Sequence, residues 1–250
     1  MKEARKERLK KGIYLLPNAF TSMNLFFGFL CIVSALEGRF EFAAISILIA
    51  VVFDSLDGKI ARATNTTSQF GIEFDSLADL ISFGLAPSLL MYLWILKPMG
   101  RIGWLAAFLF TICGALRLAR FNTMAESTPS NHFLGLPIPA AAGMNATAVM
   151  FCTKFNVPVS EFPVVFLLAM YALSFLMVSS VKYESFKKAE LFKKMKFNML
   201  VSTILVFIFI AQKPHLALFA ISLCYVVSGP ILTIVLARRA RHEASALKPR

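Results

Sequence analysis

Apolar residues run in long blocks along this chain, separated by short polar breaks. Blocks long enough to cross a bilayer, about 20 residues each, predict eight helices at 18–36, 41–63, 71–96, 102–122, 134–153, 162–181, 197–212 and 215–237. The last two are parted only by "QKPH" and also read as one re-entrant hairpin. The polar breaks share their basic residues unevenly. With both termini cytoplasmic, twenty-one Lys and Arg fall in inside segments and five in outside loops. That is a positive-inside pattern, and it supports an even number of spans. The expected fold class is an all-α integral membrane protein of about eight transmembrane helices, multi-pass in the cell membrane, with both termini cytoplasmic.

The flanks differ from the spans. Residues 1–17 form a basic segment in which Arg5, Lys6, Arg8, Lys10 and Lys11 precede Ile13, Leu15 and Leu16. This predicts an interfacial amphipathic helix lying along the anionic inner leaflet. "VKYESFKKAELFKKMKF" reads as a second interfacial stretch, with Tyr183, Phe186, Leu191 and Phe192 set among lysines. Residues 18–237 make a single membrane domain, and 238–250 a basic cytoplasmic tail.

Composition sharpens this reading. The 250 residues are 58% hydrophobic and only 16% charged, with a mean hydropathy of +0.69, too apolar for a soluble domain of this size. The net charge of +12 points to anionic headgroups, with nucleic acid not expected as a partner. No small-residue cleavage site follows the basic N-terminus, so it is expected to be retained. Cys31, Cys113, Cys152 and Cys224 sit in apolar runs without metal-type spacing and read as inert buried thiols.

Against this background the acids stand out. Asp54, Asp57, Asp75 and Asp79 are the only aspartates in the chain, and they fall within 26 positions. On a helix, Asp54, Asp57, Gly58, Ala61 and Arg62 share one side, while Gly71, Asp75, Asp79 and Ser82 form a narrow stripe on the next. The turn "ATNTTSQF" makes the two helices antiparallel neighbours, so the stripes can face each other. Ionised carboxylates at the membrane edge are costly unless paired. The nearby cations are Lys59 and Arg62, which leaves an excess of negative charge. One or two divalent cations would balance it; all-carboxylate ligation suits Mg²⁺, Mn²⁺ or Ca²⁺ and not zinc. Two such ions make a clamp for phosphoryl groups. The small residues Gly58, Ala61 and Gly71 clear space for a bulky ligand.

The pattern Asp54-x₂-Asp57-Gly58-x₂-Ala61-Arg62-x₈-Gly71-x₃-Asp75-x₃-Asp79 resembles the signature of the CDP-alcohol phosphatidyltransferase family. The resemblance implies displacement of CMP from a CDP-linked lipid by an alcohol. It implies metal ligation by Asp54, Asp57, Asp75 and Asp79 with two Mg²⁺ or Mn²⁺ ions per site, and Asp79 as general base. It assigns CDP binding to Asp57, Gly58, Ala61, Arg62 and Gly71, and implies a homodimer.

The stretches "GALRLARFNT", "GLPIPAAAG", "LPNAFTSMNLFFGF" and "MVSSVKYESFK" look similar to the phosphatidylserine synthase branch of that family. This implies transfer of the phosphatidyl group from CDP-diacylglycerol to L-serine at the cytoplasmic face, among membrane lipids. A zwitterionic acceptor needs a cation for its carboxylate, which makes Arg117 and Arg120, with Asn122, the acceptor candidates. Thr21, Asn24 and Lys59 are further candidates for contact with nucleotide or acceptor; capping explains Asn18, Thr21, Ser22 and Asn24 equally well. The rival readings are another acceptor, such as glycerol 3-phosphate or inositol phosphate, and a divalent-cation transporter.

Overall fold

A computed structural model describes the backbone of residues 2–64, 68–125, 132–184 and 212–246. Within these residues the chain is helical apart from one short ribbon. The helices are α1 (Lys2–Leu36), α2 (Phe40–Thr64), α3 (Gln69–Met99), α4 (Arg101–Ala125), α5 (Ile138–Lys154), α6 (Pro163–Val178) and α7 (Pro214–Ala246). Strands β1 (His132–Leu134) and β2 (Lys182–Glu184) pair antiparallel, Phe133 opposite Tyr183.

Among the described residues, four segments are long and apolar enough to cross a membrane: Pro17–Leu36, Gln69–Met99, Arg101–Thr123 and Pro214–Thr233. The protein thus has the composition and helices of a membrane protein. Phe29, Val52, Phe108, Leu168 and Phe175 stay exposed, as on a surface solvated by acyl chains, where apolar side chains need no protein cover. The expected span 197–212 lies outside the described residues.

Several boundaries differ from expectation, each for a local reason. The basic segment 1–17 is not a separate helix: α1 runs on from Lys2 with Pro17 inside it. The C-terminal tail likewise continues α7 as far as Ala246. The fifth span starts at Ile138 rather than 134, and the sixth ends at Val178 rather than 181. In "GLPIP" each proline disfavours helix in the residue before it, and Gly135 takes a φ of +80°. Gly135 N–H donates to Val181 O at 2.8 Å and Leu136 N–H to Leu176 O at 3.0 Å, so the segment zips onto the end of α6 and leads into the ribbon. Tyr183, expected at the membrane surface, is fully buried on β2. Cys31, Cys113 and Cys152 are buried as expected, whereas Cys224 is exposed.

Helices α1 and α2 form a hairpin closed by a Schellman turn. Arg39 N–H donates to Ser34 O at 2.8 Å and Gly38 N–H to Ala35 O at 3.1 Å, with Gly38 at φ +77°, the left-handed position this cap needs. Helix α3 starts at an N-cap, Ser68, whose hydroxyl accepts from Gly71 N–H at 3.1 Å. Directly after Asp79 the helix widens to π geometry over Leu80–Leu85. The cause is Pro87: it lacks an N–H, and its ring crowds the carbonyl four residues back, at Phe83.

Helices α1 and α3 approach closely where Gly28 meets Ser82. A Cβ on Gly28 would lie 2.7 Å from Ser82 Cα, so glycine permits the contact, in the manner of small residues between membrane helices. Helix α4 lies antiparallel along α3. Thr111 Oγ1 is 2.9 Å from Ser88 Oγ at one end, and Asn122 Nδ2 donates to Ser76 Oγ at 2.9 Å at the other.

Candidate active site

The C-terminal end of α2 and the start of α3 bring the aspartates together. One carboxylate oxygen from each of Asp54, Asp57 and Asp75 lies within 4.8 Å of the other two. Asp57 is buried, while Asp54 and Asp75 are half-buried. Asp79, one turn further into the bundle from Asp75, is buried and has Asp54 within hydrogen-bonding reach. Three ionised carboxylates this close repel by about 3–4 kcal/mol per pair at an effective dielectric of 20.

Among the described residues no ion pair answers that charge. Lys59 and Arg62 are exposed, and the one ion pair among the described residues is Arg39–Glu37, at the other end of the α1–α2 hairpin. Neither Lys59 nor Arg62, the cations nearest the acids in sequence, forms an ion pair with them. Asp75 Oδ1 is buried with no hydrogen-bond partner. A tight, oxygen-only, unpaired carboxylate set with an orphaned oxygen fits a hard divalent cation. The acidic cluster is thus able to bind a metal ion.

Helix α1 orients two of the acids, a role for which its sequence offered only candidates. Thr21 Oγ1 donates to Asp57 Oδ2 at 3.0 Å, with Pro17 O as the alternative acceptor at 3.2 Å. Asn24 Nδ2 donates to Asp79 Oδ1 at 2.9 Å. Ser82 Oγ in turn donates to Asn24 O at 3.0 Å, tying α1 to the π segment of α3. Thr21 and Asn24 thus act on the carboxylates themselves, beneath any ligand.

The small residues divide into two kinds. A Cβ on Gly58 would meet only Arg62 Nη2 at 3.8 Å, so the backbone there faces open space beside Asp57. Ala61 lies half-buried on the same helix. A Cβ on Gly71 would instead lie 3.2 Å from Ser68 Oγ and 3.4 Å from Asn18 Oδ1, so Gly71 sits at a close packing contact.

The three acceptor candidates on α4 separate as well. Asn122 is taken up by Ser76. Arg120 Nη1 donates to Val178 O at 3.4 Å, at the C-terminal end of α6, where the last carbonyls lack helical partners. Arg117 has its Nε buried without a partner and lies within electrostatic range of Asp79 and Tyr225. Sequence reasoning missed Ser76 and Tyr225; Tyr225 stands in the apolar run "LCYVVSGP", where nothing in the periodicity singles it out.

Two facing helices that gather an aspartate cluster at the end of an apolar bundle make a site able to hold a divalent metal ion. Residues 14–178 fit the family model described as CDP-alcohol phosphatidyltransferase, and the chain belongs to that family. It is 42% identical over 196 residues, 78% of this chain and 83% of the relative, to a CDP-diacylglycerol–serine O-phosphatidyltransferase of Helicobacter pylori (strain ATCC 700392 / 26695). It is 38% identical over 173 residues, 69% of this chain and 92% of the relative, to the protein of that name from Bacillus subtilis (strain 168). An archaetidylserine synthase of Methanothermobacter thermautotrophicus is 39% identical over 170 residues, 67% of this chain and 69% of the relative.

Proposed function

We propose that this chain transfers the phosphatidyl group of CDP-diacylglycerol to the hydroxyl of L-serine, giving phosphatidylserine and CMP. The observation that carries the reading is the convergence of Asp54, Asp57 and Asp75 beside a buried Asp79 held by Asn24. The relatives named for serine transfer support the choice of acceptor.

Asp54, Asp57 and Asp75, with Asp79 at their edge, are the residues that would hold two Mg²⁺ or Mn²⁺ ions. When bound, these ions would neutralise the pyrophosphate and polarise the phosphorus under attack. Asp79 orients the serine hydroxyl and takes its proton as the serine oxygen bonds to the phosphatidyl phosphorus. The bond from that phosphorus to the CMP oxygen breaks, and CMP leaves with the electron pair. Asn24 fixes which Asp79 oxygen is left for this work, since Oδ1 already accepts its N–H. Asp57, Gly58, Ala61, Arg62 and Gly71 form the CDP side, where the open space over Gly58 admits the nucleotide to the backbone. On the acceptor side the role falls to Arg117, a single cation suited to one carboxylate.

The same reading makes residues 18–237 one catalytic membrane domain in a homodimer in the cell membrane. The site then opens at the cytoplasmic face, where the excess of basic residues lies. One substrate is a lipid and the other is water-soluble, so a site at that boundary reaches both.

The test follows CMP release from CDP-diacylglycerol by protein purified in detergent with Mn²⁺ and separate alcohols. Release that requires L-serine, and is lost with EDTA and in Asp79→Asn, is the expected result. Release with glycerol 3-phosphate and none with serine overturns the acceptor.

A further inference from the structure

Helix α7 is broken at one point, and a distant part of the chain fills the break. Pro230 stands inside α7. It has no N–H, so the carbonyl four residues back, at Val226, loses its helical partner. In an apolar bundle such a carbonyl has to find a donor within the protein. Tyr183 of β2 is that donor: its hydroxyl bonds Val226 O at 3.1 Å, across 43 residues of sequence. The Tyr183 ring is fully buried. A Cβ on Gly229 would lie 2.7 Å from its Cε2 and nearer still to its Cζ. Glycine beside the proline is therefore what lets the phenol reach the break.

The same place is the natural bend of α7. Helices kink at proline and at Gly/Ser pairs, and "SGP" at 228–230 supplies all three. Ser228 Oγ donates to Tyr225 O at 2.7 Å inside the bend. Elsewhere α7 is held lightly. Only 11% of its membrane-length segment is buried, against 28% or more in the other three, and Ile221, Leu223, Val227 and Ile231 are exposed. Among the described residues it packs chiefly on α5 and on the ribbon. Near its start Phe219 stacks on Phe151 of α5, with ring centres 4.8 Å apart.

This joint belongs to the end of the bundle that carries the acids. Ser76, next to Asp75, accepts from Asn122 of α4. Two residues before Asn122, Arg120 donates to Val178 O at the end of α6. Gly135 N–H donates to Val181 O, just ahead of β2, and Tyr183 carries the series on to α7. Beneath α7 lies α5. Its first residue, Ile138, reaches the π segment that follows Asp79, where a Cβ on Gly84 would meet Ile138 Cδ1 at 3.8 Å. From there α5 runs through Ala140, Ala141, Ala142 and Gly143, a stretch without bulky side chains.

We propose that α7 is a side gate for the lipid substrate and that Tyr183 is its latch. The proposal rests on the transferase reading above and deepens it. The acyl chains of CDP-diacylglycerol keep to the bilayer, so the lipid has to enter the site from the side. With the latch made, α7 lies on α5 and the seam is shut. With the Tyr183–Val226 bond broken, α7 bends at Gly229 and Pro230 away from α5. An acyl chain then slides along the small residues of α5, and the lipid product leaves the same way. The latch is a single neutral hydrogen bond, so the open state is a minor population close in free energy. Serine and CMP use the aqueous side and do not pass the gate.

Rates of CMP release test this, with CDP-dioleoylglycerol and the short-chain, water-soluble CDP-dihexanoylglycerol, in the wild type and in Tyr183→Phe, Gly229→Ala and Pro230→Ala. Losing one buried hydrogen bond shifts a two-state equilibrium by about three- to tenfold. A ligand that needs the minor state binds more tightly, in apparent terms, as that state fills. Tyr183→Phe is therefore expected to lower KM for the dioleoyl lipid by that factor and to lower kcat, because the shut state is less populated. KM for the dihexanoyl lipid and for L-serine should stay at the wild-type value. A merely structural loss would lower the active fraction and would not tighten one substrate by chain length. Gly229→Ala adds a methyl against the Tyr183 ring and should act in the same direction. Pro230→Ala returns an N–H to Val226 O, so in that background Tyr183→Phe should leave KM where it is, the non-additivity expected of one joint. A KM for the dioleoyl lipid that is unchanged or raised in Tyr183→Phe, or that shifts equally for both chain lengths, overturns the gate. So does a Tyr183→Phe effect undiminished by Pro230→Ala. Wild-type protein that releases no CMP from either lipid overturns the transferase reading itself, an outcome separate from any difference among the variants.

Discussion

Replacing Gly28 by alanine tests whether helix spacing sets the geometry of the site. The added Cβ would lie 2.7 Å from Ser82 Cα and 2.8 Å from Ser82 Cβ. Carbon atoms rest at about 3.5–4.0 Å, so α1 and α3 must part by about 1 Å. Rotating the Ser82 side chain gives no relief, because Cα is backbone. Asn24 sits one turn from Gly28 on the same face of α1, and its bond to Asp79 is 2.9 Å. Moved by about 1 Å, that contact leaves hydrogen-bonding range, and the Ser82–Asn24 bond at 3.0 Å goes with it. A displacement of this size at a reacting group costs about a hundredfold in rate, while overpacking costs about 1–3 kcal/mol of stability. Gly28→Ala should therefore remain folded in detergent, melt lower, and release CMP between ten and a hundred times more slowly. Gly143→Ala is the matched control, since a Cβ there meets nothing within 4 Å; it should keep both rate and stability. Gly28→Ala at more than a third of the wild-type rate, with the protein folded, would refute the reasoning.

Three further outcomes follow from the same geometry. Gly58→Ala adds a methyl facing only Arg62, so stability should hold while KM for CDP-diacylglycerol rises by about tenfold; an unchanged KM would remove Gly58 from the nucleotide side. Thr21→Val deletes the donor to Asp57, and loss of such outer support costs about 10–100-fold in metal affinity. The Mn²⁺ concentration for half-maximal CMP release should rise accordingly, and an unshifted titration would count against it. Asp57→Asn should abolish Mn²⁺-induced thermal stabilisation of the protein without substrate, whereas wild type should gain stability as ligand binding to the folded state requires.

Much of the acidic centre was legible before any coordinates. Helical spacing alone places Asp54 with Asp57, and Asp75 with Asp79, and carboxylates at a membrane edge are too costly to be incidental. The partners of those acids were not legible. Asn24 and Asp79 are 55 residues apart, and their pairing depends on how closely α1 approaches α3, which Gly28 decides. Lys59 and Arg62 are near the acids in sequence, yet their side chains point outward. Tyr183 looked interfacial because lysines surround it, but a short ribbon and Gly229 draw it into the core.

By itself the sequence determined the membrane class and the grouping of the four aspartates, because hydropathy and helical period act locally. The tertiary structure decided which side chains complete the site. Arg117 and Arg120 are one helical turn apart and chemically identical. The packing of α4 buries Arg117 Nε within electrostatic range of Asp79 and sends Arg120 to the end of α6. Register is set by packing between distant segments, and no local pattern encodes it.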